Sequence, residues 1–527
     1  MIGWDGKNWT TTADLIFLGN RRIGEIWKGN RKIYPEMELA SYLKHFRLPY
    51  ISSNHTLDII LSRNKYDNVI SYKGVNSYIY NTDVNHLVIS SEVTNYNLIY
   101  LNEDMSWFSY EHKGLRLNLI DFYSKCNDSL VTNMYAAYEN CWNLTGSPVC
   151  GNNVVELTGA YTNCYNLTGN PVCGPNVVNM RYTYENCWNL TGSPVCGNNV
   201  VDMIHTYMNC YNITGDAACG PNVVNMKSAY EDCRNLTGNP ACGPNVVDMN
   251  RTYSGCYNLT GDPVCCSNVV NMDHAYASCR NLTGNPACGP NVINMQGTYS
   301  GCYNLTGNPV CGSNVTDMWA TYYYCYNITG NPVCGPNVTN MDRTYSHCHN
   351  LTGDAACGPN VVDMYYTYSG CHNLTGNPVC GPNVVNMQGT YDGCHNLTGN
   401  PVCGNNVRTM AYAYSGCYNL AGNPVCGSNV VYMDGAYENC WNLTGSPVCG
   451  NNVVSMGYTY RNCFNLTGSI VIPNNVTNLF FTFYVNNISN INNVRTIMDV
   501  DVVLPEKWRN NGQVNGWINC VRSVSFY

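Results

Sequence analysis

The 527-residue sequence predicts a mainly β fold: a solenoid of 23-residue repeats, preceded by a small β-rich amino-terminal region and closed by a non-repeating carboxy-terminal cap. Three observations predict it. Cysteines recur from Cys141, Cys164 and Cys187 through to Cys463 every 23 residues, without one insertion or deletion, and self-similarity of that kind marks one stacked unit, not a string of globules. Counted from that cysteine as position 1, each repeat has its apolar residues at positions 1, 4, 9, 10, 14, 17 and 21, a spacing too broken for a long helix. Between them lie Gly, Asn, Pro, Ser and Thr, the residues of tight bends. Brief strands joined by bends, each coil burying its inward residues against the next, would give a rod on the order of 70 Å for some fifteen coils at the usual strand spacing.

Residues 1–36 read as an attachment segment. In "RRIGEIWKGNRKIYP", Ile23, Ile26 and Trp27 precede Gly29-Asn30, and Ile33 and Tyr34 follow it, the pattern of a hairpin about a Gly-Asn turn that ends at Pro35. Residues 37–114 are non-repetitive, and short runs such as "LDIILS", "HLVIS" and "NLIYL" suggest a small β-rich domain. Residues 115–485 hold the repeats. From 486 to 527 the period is abandoned, as expected of a cap over an open solenoid end.

The frame "NVVNMxxTYxxCxNLTG" resembles the BspA type of leucine-rich repeat, the bacterial surface-antigen class, over roughly residues 115–485. In that family an apolar-aromatic-cysteine-leucine frame precedes a short strand and a proline. The last copy, "CFNLTGSIVIPNNVTNLFFTF", restores Ile470, Ile472 and Pro473 where internal copies have Pro, Cys and Gly. The resemblance implies a right-handed leucine-rich-repeat-like coil, with an internal strand shorter than the family's because proline stands at position 8. This repeat type is shared by bacterial adhesins, protist surface proteins and phage tail proteins.

Only 11% of residues are charged, 26 basic against 34 acidic, which argues against nucleic acid as a partner. The opening lacks a basic start followed by an apolar stretch of signal-peptide length, and no run of 18 apolar residues occurs. The expectation is therefore neither Sec-type export nor membrane insertion. No phosphate-cradling glycine loop, nucleophile elbow or zinc-protease motif appears, so the chain is not expected to be an enzyme or to hold a cofactor.

The 32 cysteines leave three readings. The spacing between positions 1 and 10 does not match a zinc knuckle and no repeat supplies matching histidines. A disulfide within each coil is a second reading. Buried thiol ladders, small apolar residues stacked coil on coil, are favoured, since identical cysteines in adjacent coils point the same way. Asn-Leu-Thr or Asn-Ile-Thr matches the N-glycosylation acceptor from Asn143 onward, but position 3 reads better as an Asn ladder satisfying backbone at a bend. At position 16 acids and Asn alternate (Glu156, Asn179, Asp202, Asn225, Asp248), so that like charges avoid neighbouring coils.

Position 2 varies within one chemical class. It reads Trp142, Tyr165, Trp188, Tyr211, Arg234, Tyr257, Arg280, Tyr303, Tyr326, His349, His372, His395, Tyr418, Trp441 and Phe464, every one aromatic or a planar cation. Since positions 1 and 4 face inward, position 2 is expected to face out as one line of candidate ligand-binding residues. Positions 18, 19 and 22 vary too, with Tyr182, His205, Trp319, Tyr323, Tyr365, Tyr366, Tyr412 and Tyr458 among them. Rigid amphipathic rings on a Ser, Gly and Asn background have the chemistry of paratopes and hot spots, and aromatic faces also suit sugar rings. The competing view is that stacked rings merely shield backbone. His349, His372 and His395 offer only a weak case for a metal.

Two function classes follow. "IGEIWKGNRKIYP" resembles the short hairpins that open many phage tail proteins, which suggests a phage tail-fibre, tail-tip or baseplate-attached component. It would bind a host receptor or glycan through the variable face and other tail or baseplate proteins through its amino-terminal region, as a homo-oligomer in the virion. The alternative is a cellular surface adhesin of the same repeat family, or a purely structural virion spacer.

Overall fold

The computed structural model describes residues 131–486 and 497–527 and, before them, the backbone of ten short strands between Gly3 and Asn127. Most of residues 1–36 and 37–114, the first coil from 115 and the start of the cap lie outside the described residues. The chain divides into two compact units, Met1–Val246 and Val247–Tyr527.

In the first unit Ile26–Lys28 and Arg31–Tyr34 pair antiparallel on either side of Gly29-Asn30. Asp58–Leu61, Ile70–Lys73 and Leu98–Leu101 share a sheet with Cys126–Asn127, which lies on its edge beside Leu98–Leu101. This sheet therefore runs past residue 114, where the sequence suggests a boundary.

In both units each repeat makes one coil, but the coils are built from bends, not strands. Among the described residues of the internal repeats the β pairing is confined to isolated bridges, almost all of them parallel bridges at position 16 such as Glu156 to Asn179 and Asn294 to Asp317. The mainly β expectation is met in the cap and in the amino-terminal strands, and not along the array. The reason is visible in the backbone. Positions 19 and 23 take positive φ coil after coil, at Gly297 and Gly301 for example, which interrupts the extended conformation a strand requires. The N–H groups of positions 17, 19, 21 and 23 donate to carbonyls of the next coil: Met295 to Asp317 at 3.1 Å, Gly297 to Trp319 at 2.7 Å, Tyr299 to Thr321 at 2.8 Å and Gly301 to Tyr323 at 2.7 Å. Those of positions 18, 20 and 22 are served otherwise. Thr298 and Ser300 bond back three residues within the coil, to Met295 and Gly297, and the Gln296 N–H is capped by the Asn294 carboxamide at 2.9 Å. That cap explains position 16 better than charge avoidance does, because Asn and Asp both offer the same Oδ1 to the bend (Asp317 Oδ1 to Trp319 N–H, 2.8 Å).

Inside, positions 1, 4, 14, 17 and 21 are fully buried, as Cys302, Leu305, Val315, Met318 and Tyr322 show. Positions 9 and 10, expected inward, are only half-buried, and the proline at position 8 is buried in their place, as at Pro148 and Pro171. Proline cannot join a ladder, so its neighbour needs another partner. The tyrosine at position 21 supplies it: the Tyr299 hydroxyl accepts from the Ala287 N–H at 2.9 Å and donates to the Ala287 carbonyl at 2.6 Å. The rings themselves stack, with centroids 5.5 Å apart at 2° for Tyr161 on Tyr184 and 5.4 Å at 5° for Tyr322 on Tyr345.

Both thiol columns are free. The position 1 thiols donate to the tyrosine carbonyl 26 residues back (Cys302 Sγ to Tyr276 O, 3.1 Å), and burial raises their pKa. The position 10 sulfurs accept from the glycine that follows position 10 in the next coil (Cys265 Sγ from Gly289 N–H, 3.0 Å). A β-carbon on Gly289 would stand 2.8 Å from the Cys266 carbonyl oxygen, so glycine eases the close approach of the coils at this position, which Cys266 fills in one coil. Asn ladders run outside, at position 3 (Asn189 Nδ2 to the Tyr165 carbonyl, 2.9 Å) and at position 13 (Asn199 Nδ2 to the Pro175 carbonyl, 3.0 Å).

The cap closes the second unit. Thr467–Val471, Met498–Leu504 and Val521–Phe526 form a parallel three-stranded sheet, so the cap begins inside the last repeat, before residue 486. Trp517 is buried, its ring meets Phe483 edge-on at 5.1 Å and its Nε1–H donates to the Leu479 carbonyl at 2.8 Å. Gln513 Oε1 accepts the Leu479 N–H and Lys507 Nζ donates to the carbonyls of Asn474 and Val476, groups that a further coil would otherwise take.

Candidate recognition surface

Position 2 follows a cysteine whose side chain is locked inward, and its N–H is often held by the carbonyl two residues back, as in His372 to Gly370 at 2.9 Å. The side chain therefore leaves the coil on its outer side. Trp142 is 50% and Trp188 42% exposed, Arg234 and Arg280 are exposed, and nine tyrosines and histidines from Tyr165 to Tyr418, with Trp441, are half-exposed. Tyr257, Tyr303 and Tyr326 lie among these. Phe464 departs from the expectation: at 6% exposure it is buried, in the last repeat.

Within each unit the column is a stack. In the first, Tyr165 and Trp188 lie 4.3 Å apart, Trp188 and Tyr211 6.3 Å apart, and the Arg234 guanidinium covers Tyr211 at 4.6 Å. In the second, Arg280 lies between Tyr257 at 4.5 Å and Tyr303 at 5.7 Å. The stack continues through Tyr303–Tyr326 (5.2 Å), Tyr326–His349 (4.9 Å), His349–His372 (4.7 Å), His372–His395 (4.5 Å), His395–Tyr418 (4.6 Å) and Tyr418–Trp441 (4.2 Å). Burial, and then the neighbouring His372, holds His349 and His395 below the usual histidine pKa.

This geometry limits what the column can do. Each ring spends its faces on its neighbours, so a partner meets edges, hydroxyls and ring nitrogens. Stacking of a sugar ring on position 2 is thereby excluded wherever both neighbours are in place. Among the described residues no group of three or more His, Cys, Asp or Glu side chains is placed to hold a metal ion, and no helix is long and apolar enough to cross a membrane.

The other variable positions sit apart. Position 18 and position 19 side chains form their own partly exposed column, with Tyr182 against His205 at 5.1 Å and Arg343 over Tyr365 at 4.7 Å. Trp319 lies 6.0 Å from His274, and Tyr323 packs on Tyr324 and His347. Sequence reasoning named many of these residues but missed that position 19 has positive φ throughout, a signal present in the glycines that alternate with tyrosines there.

No family model matches the chain, and no curated protein matches it. Among solved structures it is similar to a leucine-rich repeat protein from Bacteroides ovatus, at 12% identity and a TM-score of 0.36 over 91% of this chain and all of that one. At that score the likeness carries no argument about function.

Proposed function

We propose that this chain is a non-enzymatic recognition protein built on a right-handed coil of the leucine-rich-repeat type, and that it serves as a receptor-binding component of a bacteriophage tail. One observation carries the recognition reading: a uniform buried spine of Cys, Leu, Val, Met and Tyr bears, on the same coils, an outward stack whose members change from coil to coil within one chemical class. Pure shielding of the backbone would be served by any one of these residues repeated. Preordered rings lose little entropy on contact, which suits them to protein or glycan surfaces. The tail assignment rests on the Ile26–Tyr34 hairpin and its resemblance to those of phage tail proteins.

The test has two parts. Replacing Trp142, Trp188 and Trp441 together with Ala is expected to leave the melting temperature within a few degrees while reducing attachment to host cells at least about tenfold, the loss of one hot spot. Unchanged attachment removes this column from recognition. Immunogold labelling of purified phage particles is expected to mark the tail, whereas labelling confined to the cell envelope would replace the tail reading with the surface adhesin.

A further inference from the structure

We infer that the second unit carries a separate glycan platform at position 19, built for a β-1,4-linked polysaccharide strand lying across Tyr366, Tyr412 and Tyr458. The inference rests on the recognition reading and moves its sugar-binding function away from position 2, where the ring faces are already used.

Positions 19 and 23 make the same backbone demand and answer it differently. Position 23 mostly holds Gly or Asn, the residues that tolerate positive φ, as at Gly393, Gly416 and Asn439. Position 19 has positive φ as well, yet holds Tyr366 (φ +48°), Tyr412 (φ +56°) and Tyr458 (φ +62°). A bulky side chain is disfavoured there, yet position 19 accepts one in other coils too, at His205, Arg251 and Arg343, so what marks these three tyrosines is that a glycine separates each from the next.

Between them stand Gly389 and Gly435. A β-carbon on Gly389 would lie 2.5 Å from Cε1 of Tyr366, and one on Gly435 2.5 Å from Cδ1 of Tyr412. Each ring therefore lies over the glycine of the following coil and is seated by it. Tyr412 is 37% exposed, and among the described residues no other ring packs on it, whereas Tyr366 meets Tyr365 edge-on at 4.6 Å and Tyr458 meets Phe480 edge-on at 5.5 Å with the Arg461 guanidinium 5.6 Å from its ring centre, so Tyr412 is the most open of the three. The rings are locked by backbone, since Tyr366, Gly389, Tyr412, Gly435 and Tyr458 each donate their N–H to the next coil at 2.7–2.9 Å. Successive tyrosines are thus two coils apart, about 10 Å at the usual spacing of hydrogen-bonded chains.

That alternation has a chemical counterpart. In a β-1,4-linked chain successive pyranose rings are turned over, so that the same face recurs at every second sugar. The C–H bonds of that face suit the negative face of a tyrosine ring. Hydroxyl groups at the sugar edges need acceptors and donors beside the ring. Asp392 and Glu438 lie close enough to Tyr412 to act on its hydroxyl electrostatically, and Arg461 is held on Glu438 at 2.9 Å. An apolar platform with a few fixed polar groups is the usual composition of a small-ligand site.

The experiment uses the full chain and isothermal titration with chitohexaose and cellohexaose, with maltohexaose as the α-linked control. Both β-1,4 hexamers are expected to bind and maltohexaose to bind at least about tenfold more weakly. Tyr412→Ala is expected to weaken the hexamers about tenfold, the scale of one ring contact. Tyr412→Phe should retain binding, because the ring and not the hydroxyl does the stacking. Gly435→Ala should weaken it by displacing the ring while leaving the ring present. Absence of binding by both hexamers, equal binding of maltohexaose, or full binding by a folded Tyr412→Ala would each overturn the platform. If the hexamers fail while the triple tryptophan variant still loses attachment, this inference falls and the recognition reading stands. If the hexamers bind and the tryptophan variant attaches normally, the position 2 column loses its role and recognition rests on the position 19 platform.

Discussion

An internal coil such as residues 279–301 and the last coil, residues 463–485, meet the same backbone demand at position 9 with different chemistry. In the internal coil Pro286 precludes a strand, and the Tyr299 hydroxyl holds both polar groups of Ala287. In the last coil Ile470 replaces the proline, Thr467–Val471 becomes a strand paired with Met498–Leu504, and Phe483 stands where the tyrosine would be. The hydroxyl disappears in the coil where the strand makes it redundant. A tyrosine hydroxyl in this fold is therefore a substitute for one rung of sheet, and it permits repetition without a long exposed strand edge, which would invite pairing with other chains.

The two coils differ also in their thiols, and this sets up the largest expected effect. Internal coils carry two cysteines, or three in the coil that adds Cys266, and the last carries one, Cys463, since Ile472 occupies position 10. Burial raises the folded pKa from the ordinary value of 9.0 to about 12 at Cys311 and Cys403, and holds Cys325 well above the ordinary value. A raised folded pKa gives stability that is complete below the unfolded value and is lost as pH rises toward the folded one. Each such thiol removes about 1.4 kcal/mol per pH unit above the unfolded value, so ten of them offset the whole stability of an ordinary domain, about 5–15 kcal/mol, within one unit. Melting followed by circular dichroism is expected to be flat from pH 7 to 8.5 and to fall steeply above pH 9. A melting temperature still flat at pH 10.5 would mean that the thiols are not buried as described. Under native conditions at pH 8 alkylation should be slow, and after unfolding complete.

Next in size is the cap. Trp517→Ala removes a buried ring that covers Phe483 and orphans the Leu479 carbonyl, and it is expected to cost about 3–5 kcal/mol in chemical denaturation. Hydrogen exchange should show the loss concentrated in coils near residue 463, because each coil is supported only by its neighbours. Uniform loss over the whole second unit would mean that these coils unfold as one.

Much of this was legible in the sequence. The period placed Cys302, Leu305, Val315, Met318 and Tyr322 in the core and Trp188 on the outside, because a repeat without insertions returns every side chain to the same direction. The bends were misread as brief strands, because Gly and Asn at position 23 signal positive φ while the tyrosines of position 19 hide it. Phe464 was misplaced for a related reason: a period speaks for internal coils, and the last coil meets the cap instead of another copy. Apolar character also placed positions 9 and 10 inside, whereas the packing choice fell on the adjacent proline, which has no N–H to satisfy.

The smallest effect isolates the hydroxyl itself. Tyr299→Phe keeps the stacked ring and removes the two hydrogen bonds to Ala287, leaving a half-buried N–H and carbonyl without their partner; the expected cost is about 1–3 kcal/mol. Phe483→Tyr is the reciprocal change. It adds a hydroxyl beside Trp517 where Val471 already pairs with Val503, so no backbone group awaits it, and it too is expected to destabilise, by about 1–3 kcal/mol for a buried hydroxyl without a partner. If hydroxyl and strand are alternatives, Phe483→Tyr combined with Ile470→Pro should recover stability relative to Ile470→Pro alone, since the proline weakens the strand and the new hydroxyl can then take up the Val471 backbone. Urea denaturation of the four chains gives the coupling directly. A coupling near zero would show that the rung and the hydroxyl act independently, and the correspondence between the two coils would then be one of position only.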